Sequence, residues 1–247
     1  MPDVVRGKGK TKPLMRIGMA ADAQYADVEP AMNRYYREGA PRLADAIEEF
    51  NGLDLDFCVY LGDLIDRVWE SFDEMESVMK MSRHSVYSVL GNHDFEVPDT
   101  RKSEVPKRMG IKNRYYSMVV KGIRFLFLDT TDVSIYAQPA ETERTATAKA
   151  ELSKWNAKKL QQARPWNGAI GKAQLKWFAG ELESARRSGQ KVIVFSHHPV
   201  APKGGHLIWN AEEVLEQIEG CSNIAGWFCG HNHAGAFAEV EGVPFVT

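Results

Sequence analysis

The chain has 247 residues, 44% of them apolar and 26% charged, with a formal net charge of −2. That is enough chain for one sizeable core, and the near-neutral balance supplies no global attraction to nucleic acid or to an anionic membrane. No apolar run is long enough for a membrane span, and no apolar segment precedes the first strand as a secretory leader would.

Residues 1–13 are rich in Gly, Lys and Pro and read as a disordered basic arm, leaving 14–247 as a single α/β domain. "LMRIGMA" is a short strand. A helix is expected over Pro30–Phe50, with Leu43, Ala46, Ile47 and Phe50 on one face and Pro41 dividing it. "FCVYL" is a buried strand. "SFDEMESVMKM" is a helix, with Ser71 as its N-cap and Glu74 three residues on. "SVYSVL" closes a βαβαβ pattern, the mark of a parallel sheet covered by helices. "YYSMVVKGIRFLFLDT" is a hairpin turning at Lys121-Gly122. Thr142–Ala163 is helical by composition, and "GKAQLKWFAGELESARR" is an amphipathic helix closed by Ser188-Gly189. "KVIVFS" and "NIAGWFC" are strands, with a helix over Trp209–Ile218 between them. "GAFAEVEGVPFVT" is a second hairpin, turning at Glu241-Gly242 and ending on a strand, as a truncated chain would.

Cys58, Cys221 and Cys229 lie in or beside apolar runs with no paired spacing. They read as small buried hydrophobes, which points to a reducing, cytoplasmic setting.

Chemistry collects where the strands stop. Asp22-Ala23-Gln24 follows the first strand and Gly62-Asp63 the second, with Asp66 close behind. Gly91-Asn92-His93-Asp94 follows the third. His197-His198 follows "KVIVFS", and Gly230-His231-Asn232-His233 follows "NIAGWFC". In an open α/β sheet the site lies beyond the carboxyl ends of the strands. Carboxylates, carboxamides and imidazoles together make a mixed oxygen and nitrogen metal site with more ligands than one ion needs. Two ions sharing a carboxylate, roughly 3.5–4 Å apart, fit that inventory. Asp63 is the natural bridge, and cations would compensate a charge placed at a buried strand end.

In this order "DAQ", "GDLID", "GNHD", "SHHP" and "GHNH" resemble the calcineurin-like metallophosphoesterases. The resemblance implies a four-layer αββα sandwich, two mixed sheets flanked by helices, and a dinuclear centre hydrolysing phosphoester or phosphoanhydride bonds. It assigns Asp22, Gln24, Asp63 and His233 to one ion, and Asp63, Asn92, His197 and His231 to the other. His93 falls to the leaving group, and Asn92 also reaches a phosphate oxygen. His198 is expected to pack, and Asp66 and Asp94 to orient neighbours. Most of that superfamily has histidine where Gln24 stands; glutamine there resembles the manganese-dependent ADP-ribose/CDP-alcohol diphosphatase branch. The "RYYR" of residues 34–37, "WNGAIG", "QLKWF" and "HLIWN" resemble the same branch.

That resemblance implies an enzyme cleaving nucleoside diphosphate-X compounds to a nucleoside monophosphate and a phosphorylated sugar or alcohol. The nucleophile would be a hydroxide bridging the ions. The cofactors would be two divalent ions, Mn²⁺ foremost, with Mg²⁺, Fe or Zn²⁺ as alternatives. The partner would be a small nucleotide, neither nucleic acid nor membrane, met by a monomer. Tyr25, Arg34, Tyr35 and Trp209 are candidate substrate contacts, the aromatics by stacking and Arg34 on the second phosphate. The competing expectations are a broader phosphodiesterase or phosphomonoesterase, including one for cyclic nucleotides, and a catalytically dead metal-binding scaffold.

Overall fold

The computed structural model of the protein describes residues 13–247, so the expected basic arm lies, but for Pro13, outside the described residues. Two sheets stack face to face. In the smaller, β1 (Ile17–Ala20), β2 (Phe57–Tyr60) and β3 (Val86–Ser88) run parallel in that order. Helices α1 (Gly39–Asn51) and α2 (Ser71–Met79) connect them, as the βαβαβ pattern requires.

A four-residue helical turn, α3 (Val105–Arg108), leads into the hairpin of β4 (Tyr116–Val120) and β5 (Ile123–Phe127). After α4 (Glu143–Ala157) and α5 (Lys172–Arg187) come β6 (Lys191–Phe195), α6 (Ala211–Glu216), β7 (Ile224–Phe228), β8 (Phe237–Val240) and β9 (Val243–Val246). The larger sheet has the order β4-β5-β6-β7-β9-β8, with β5, β6, β7 and β9 parallel. The last strand therefore sits between β7 and β8 rather than at an edge. Both hairpins turn where expected: Lys121 and Gly122, and Glu241 and Gly242, all have positive φ, the backbone of a type I′ turn.

Period-two alternation explains why β2 is buried on all four residues. Phe57, Val59 and Leu61 face the larger sheet and join Phe125, Phe127 and Phe195 between the layers, while Tyr60 faces the core under α1 and α2. The inter-sheet layer is largely aromatic. Tyr116 stacks on Phe127 at 4.4 Å and Phe57 meets Phe125 edge-on at 5.1 Å; such pairs contribute about 0.5–1.5 kcal/mol each beyond area burial. A third cluster, with Phe178, Leu182, Val194 and Trp227, fills the space under α5 and α6. The helix–sheet–sheet–helix layering is the sandwich expected from the sequence.

The helix boundaries differ from expectation. The expected Pro30–Phe50 helix shrinks to a short 3-10 turn (Tyr36–Glu38) and α1. Pro41 falls in the first turn of α1, where its missing N–H has no intrahelical partner to lose, so it starts the helix instead of dividing it. Residues 30–35 become a loop closed by a bridge between Ala31 and Arg34. Ser71 is not a cap: it is the first residue of α2, and its hydroxyl donates to the Arg67 carbonyl at 2.8 Å. A capping hydroxyl does occur on α4, where Thr142 accepts from the Thr145 N–H. The expected Thr142–Ala163 helix ends at Ala157, and the helix expected over Trp209–Ile218 is α6 alone.

Candidate metal centre

Parallel strands end at one edge, so the loops after β1, β2, β3, β6 and β7 meet. Backbone bonds sew them together. Asp22 N–H donates to the Gly62 carbonyl and Gln24 N–H to that of Asp63, both at 3.0 Å, and Gly230 N–H reaches the His197 carbonyl at 3.0 Å. Under this seam lies Asp94, fully buried, whose carboxylate accepts from the N–H groups of Gly91 (2.9 Å), Asp63 (3.1 Å) and Leu64 (2.8 Å). It ties the "GDLID" and "GNHD" loops into one unit.

Four of the seven expected ligands sit in the left-handed region of φ: Asp22 (56°), Gln24 (46°), Asp63 (57°) and His231 (69°). A non-glycine residue there costs roughly 1 kcal/mol or more. A cost repeated at adjoining loop ends, and recovered from surrounding hydrogen bonds, marks a site where side-chain direction outranks local comfort.

The side chains converge. Asp63, 0% exposed, accepts from His93 N–H (2.8 Å) and Gln24 Nε2 (3.0 Å) and lies 3.3 Å from His197 Nε2. Ligand atoms of Asp22, Asp63 and His197 all fall within 4.8 Å of one another. Asn92 Oδ1 is 3.2 Å from His197 Nε2, and His233 Nε2 is 3.5 Å from Asp22 Oδ1. Asp22 also accepts from the His231 N–H. The side chains of Gln24, Asn92, His197 and His233 therefore gather around Asp63 and Asp22, and the His231 ring lies beside that of His197, 5.1 Å between centroids.

The donor chemistry fits a pair of divalent cations. Burial works against charge on both members of the Asp63–His197 pair, and their attraction outweighs it. Asp63 is held below the usual carboxylate range and His197 is raised to about 9. A divalent cation is the stronger partner for Asp63, and binding it requires His197 as neutral imidazole. Burial, with His198 and His197 beside it, holds His231 well below the ordinary histidine value, in that same neutral form. Gln24 presents its amide nitrogen to Asp63, and a cation would take the oxygen of the same amide.

His93 stands at the cleft wall. Its Nδ1 is 2.8 Å from Glu96 Oε1 and 3.4 Å from Asp66 Oδ2, and its Nε2 is 3.2 Å from Arg34 Nη1. Burial disfavours its charged form, but Glu96, with Asp63 and Asp66, raises its pKa above the ordinary value. Buried Asp66 accepts from Arg34 and Arg67, both at 2.8 Å, and so orients Arg34 and His93 together. His198 is wholly buried with both ring nitrogens engaged, by the Thr130 hydroxyl and the Trp166 carbonyl, and its ring lies against those of His197 and His231.

The centre opens into a cleft of about 610 Å³ lined by Gln24, Arg34, Asn92, His93, His206 and His231 among others. A second lobe of about 350 Å³, reaching Asp22, Tyr35, Arg42 and His233, shares Gln24, Asn33, Arg34 and His233 with it. Arg34 and Tyr35 are thus where substrate contacts were expected. Tyr25 is not: it packs against the core beneath α1 and lines neither lobe. Trp209 is a correction. It is 1% exposed, and its indole N–H donates to the Arg164 carbonyl at 2.9 Å, so no ligand can stack on it. The accessible indole is Trp166, 46% exposed on the cleft wall. His206, Glu96 and Asn167 were not singled out from the sequence as site residues. His206 and Asn167 lie in the "HLIWN" and "WNGAIG" blocks, which were the available signal.

The family described as Calcineurin-like phosphoesterase matches residues 15–235. The chain belongs to that family. Among curated relatives, the manganese-dependent ADP-ribose/CDP-alcohol diphosphatase of Arabidopsis thaliana is 28% identical over 269 residues, covering 96% of this chain and 86% of the relative. The protein of that name from Homo sapiens is 27% identical over 270 residues, covering 92% and 79%. A solved dimetal phosphatase from Danio rerio superposes with a TM-score of 0.85 at 25% identity, covering 96% of this chain and 87% of that one. The hydrolase expectation and the four-layer fold both stand on these matches. No helix among the described residues is long and apolar enough to cross a membrane.

Proposed function

We propose that this phosphoesterase cleaves the phosphoanhydride of nucleoside diphosphate-X compounds, of the ADP-ribose and CDP-alcohol kind, to a nucleoside monophosphate and a phosphorylated sugar or alcohol. Asp22, Gln24, Asp63 and His233 would hold one divalent cation and Asp63, Asn92, His197 and His231 the other, with Mn²⁺ the preferred metal. The observation that carries the reading is Gln24, a carboxamide packed 3.0 Å from the buried Asp63 carboxylate, in a chain whose curated relatives from plant and animal bear the manganese-dependent diphosphatase name. A neutral oxygen donor in place of an imidazole makes the site harder, favouring Mn²⁺ or Mg²⁺ over Zn²⁺.

When bound, the two ions supply Lewis acidity at the phosphoryl oxygens and a water acidified to near-neutral pKa. The rest falls to side chains. His93, its Nδ1 beside Glu96 and Asp66, accepts from Arg34 at Nε2 as it stands, and that nitrogen would carry the proton for the departing oxygen once Arg34 turns to the substrate. Arg34 sits at the junction of the two lobes and offers its guanidinium to the second phosphate, a geometry suited to bidentate contact. A two-lobed cleft fits a substrate with a group on either side of its diphosphate. Tyr35, 57% exposed in the smaller lobe, is available to stack on one of them. A cytoplasmic setting belongs to the same proposal, supported by Cys58, Cys221 and Cys229, all free thiols.

The test is a product assay on ADP-ribose, CDP-choline, cyclic AMP and p-nitrophenyl phosphate, each with Mn²⁺, Mg²⁺ or Zn²⁺. AMP and CMP from the first two, fastest with Mn²⁺, is the expected result. Preference for cyclic AMP or the monoester would overturn the substrate class while leaving the metal centre in place.

A further inference from the structure

Asn167 is wholly buried beside the centre. Its Nδ2 donates to the Gln162 carbonyl at 2.9 Å and to the Gly205 carbonyl at 2.7 Å. Carbonyls only accept, so both amide hydrogens are committed and the amide cannot be turned round. Its Oδ1 is then the atom that faces His231 Nε2 at 2.9 Å, and it can only accept. The hydrogen of a neutral His231 ring must sit on Nε2, leaving the lone pair on Nδ1.

His197 has the opposite arrangement. Its Nδ1 lies 2.8 Å from the Leu61 carbonyl and must carry the hydrogen, leaving Nε2 toward Asp63 and Asn92. The segment that carries Asn167 is itself pinned. Trp209 N–H donates to the Gly168 carbonyl at 2.7 Å, the Trp209 indole holds the Arg164 carbonyl, and the Asn210 side chain bonds both N–H and C=O of Ile170. Buried Trp209 thus holds the strap in place.

We propose that Asn167 is a positioning residue: its side-chain oxygen fixes His231 as the Nε2–H tautomer and so presents Nδ1 to the metal centre. The inference rests on the metal-centre reading above. Partners that orient a ligating histidine typically change metal affinity by about 10–100-fold when removed.

Two variants separate tautomer control from strap integrity. Asn167→Asp and Asn167→Leu both lose the amide hydrogens that hold the Gln162 and Gly205 carbonyls, but only Asp keeps an acceptor toward Nε2. The readouts are Mn²⁺ affinity, and the His231 ring tautomer in long-range ¹H–¹⁵N spectra of the full chain loaded with diamagnetic Mg²⁺. In Asn167→Leu the affinity should fall about 10–100-fold and the Nε2–H signature should be lost; Asn167→Asp should recover most of both. Equal losses in the two variants, or wild-type affinity in Asn167→Leu, would overturn the proposal. Should the variants fail to fold, the wild-type spectrum decides alone, because a hydrogen on Nδ1 of His231 is incompatible with it. A wild-type chain that bound no Mn²⁺ would sink the metal-centre reading first, and the proposal with it.

Discussion

A single methyl group at Gly91 should disable the site. A Cβ there would lie 2.2 Å from Asp63 Oδ1 and 2.3 Å from Asp63 N, where ordinary contact begins at 3.4 Å. The loops after β2 and β3 must therefore part by about 1.1 Å, the difference between 2.3 Å and 3.4 Å. Neither side can yield by rotating a flexible side chain. Asp63 N–H and Gly91 N–H share Asp94 Oδ2, and Asp63 Oδ1 is held by the His93 N–H. Gly91 itself does not have a positive φ, so alanine adds bulk there without backbone strain. Overpacking of this kind costs about 1–3 kcal/mol of stability, and a misplacement of about 1 Å at a reacting centre costs on the order of 10²-fold in rate. Gly91→Ala should therefore fold, bind Mn²⁺ more weakly and turn over substrate at least about a hundredfold more slowly. Urea unfolding, Mn²⁺ titration by electron paramagnetic resonance and product release measure the three effects. A variant with wild-type metal affinity and turnover would refute the claim that these loops are in fixed contact through Asp63.

The other expected outcomes follow from the same geometry. His93→Ala should lower turnover by about 10²–10⁴-fold while metal content, read by elemental analysis, is kept; loss of metal would contradict its place at the leaving group. Asp63→Ala should lose both cations, and retention of both would end its role as a shared ligand. Gln24→His should raise Zn²⁺ affinity relative to Mn²⁺, and an unchanged ratio in competition titrations would count against the hardness argument. Gly180→Ala, inside α5 with nothing within 4 Å of the added carbon, should stabilise the chain by about 0.5–1 kcal/mol and leave turnover alone; a lower melting temperature would show that the helix face is tighter than it looks.

The strands and their polar ends were legible because both signals are local. "FCVYL" is apolar enough to be buried on two faces, and Asp63 follows it within two residues. Parallel pairing then does the assembling: once β1, β2 and β3 point one way, Asp22, Asp63 and Asn92 must arrive at one edge. Where side-chain direction depends on a partner far along the chain, the sequence was silent. Trp209 and Trp166 read alike from composition, yet one is sealed against the Arg164 carbonyl and the other lines the cleft. Pro41 was legible as a proline but not as the third residue of α1, because the start of that helix is decided by the loop before it. That loop carries Asn33, Arg34 and Tyr35 into the cleft, and Arg34 finds its place through Asp66, 32 residues away. The expected metal ligands were readable from strand ends, and so was an orienting role for Asp66 and Asp94, but which groups these two hold, and the part of Asn167, follow from contacts that only the assembled loops create. Substituting these three should change how well the ligands are presented more than whether the fold forms.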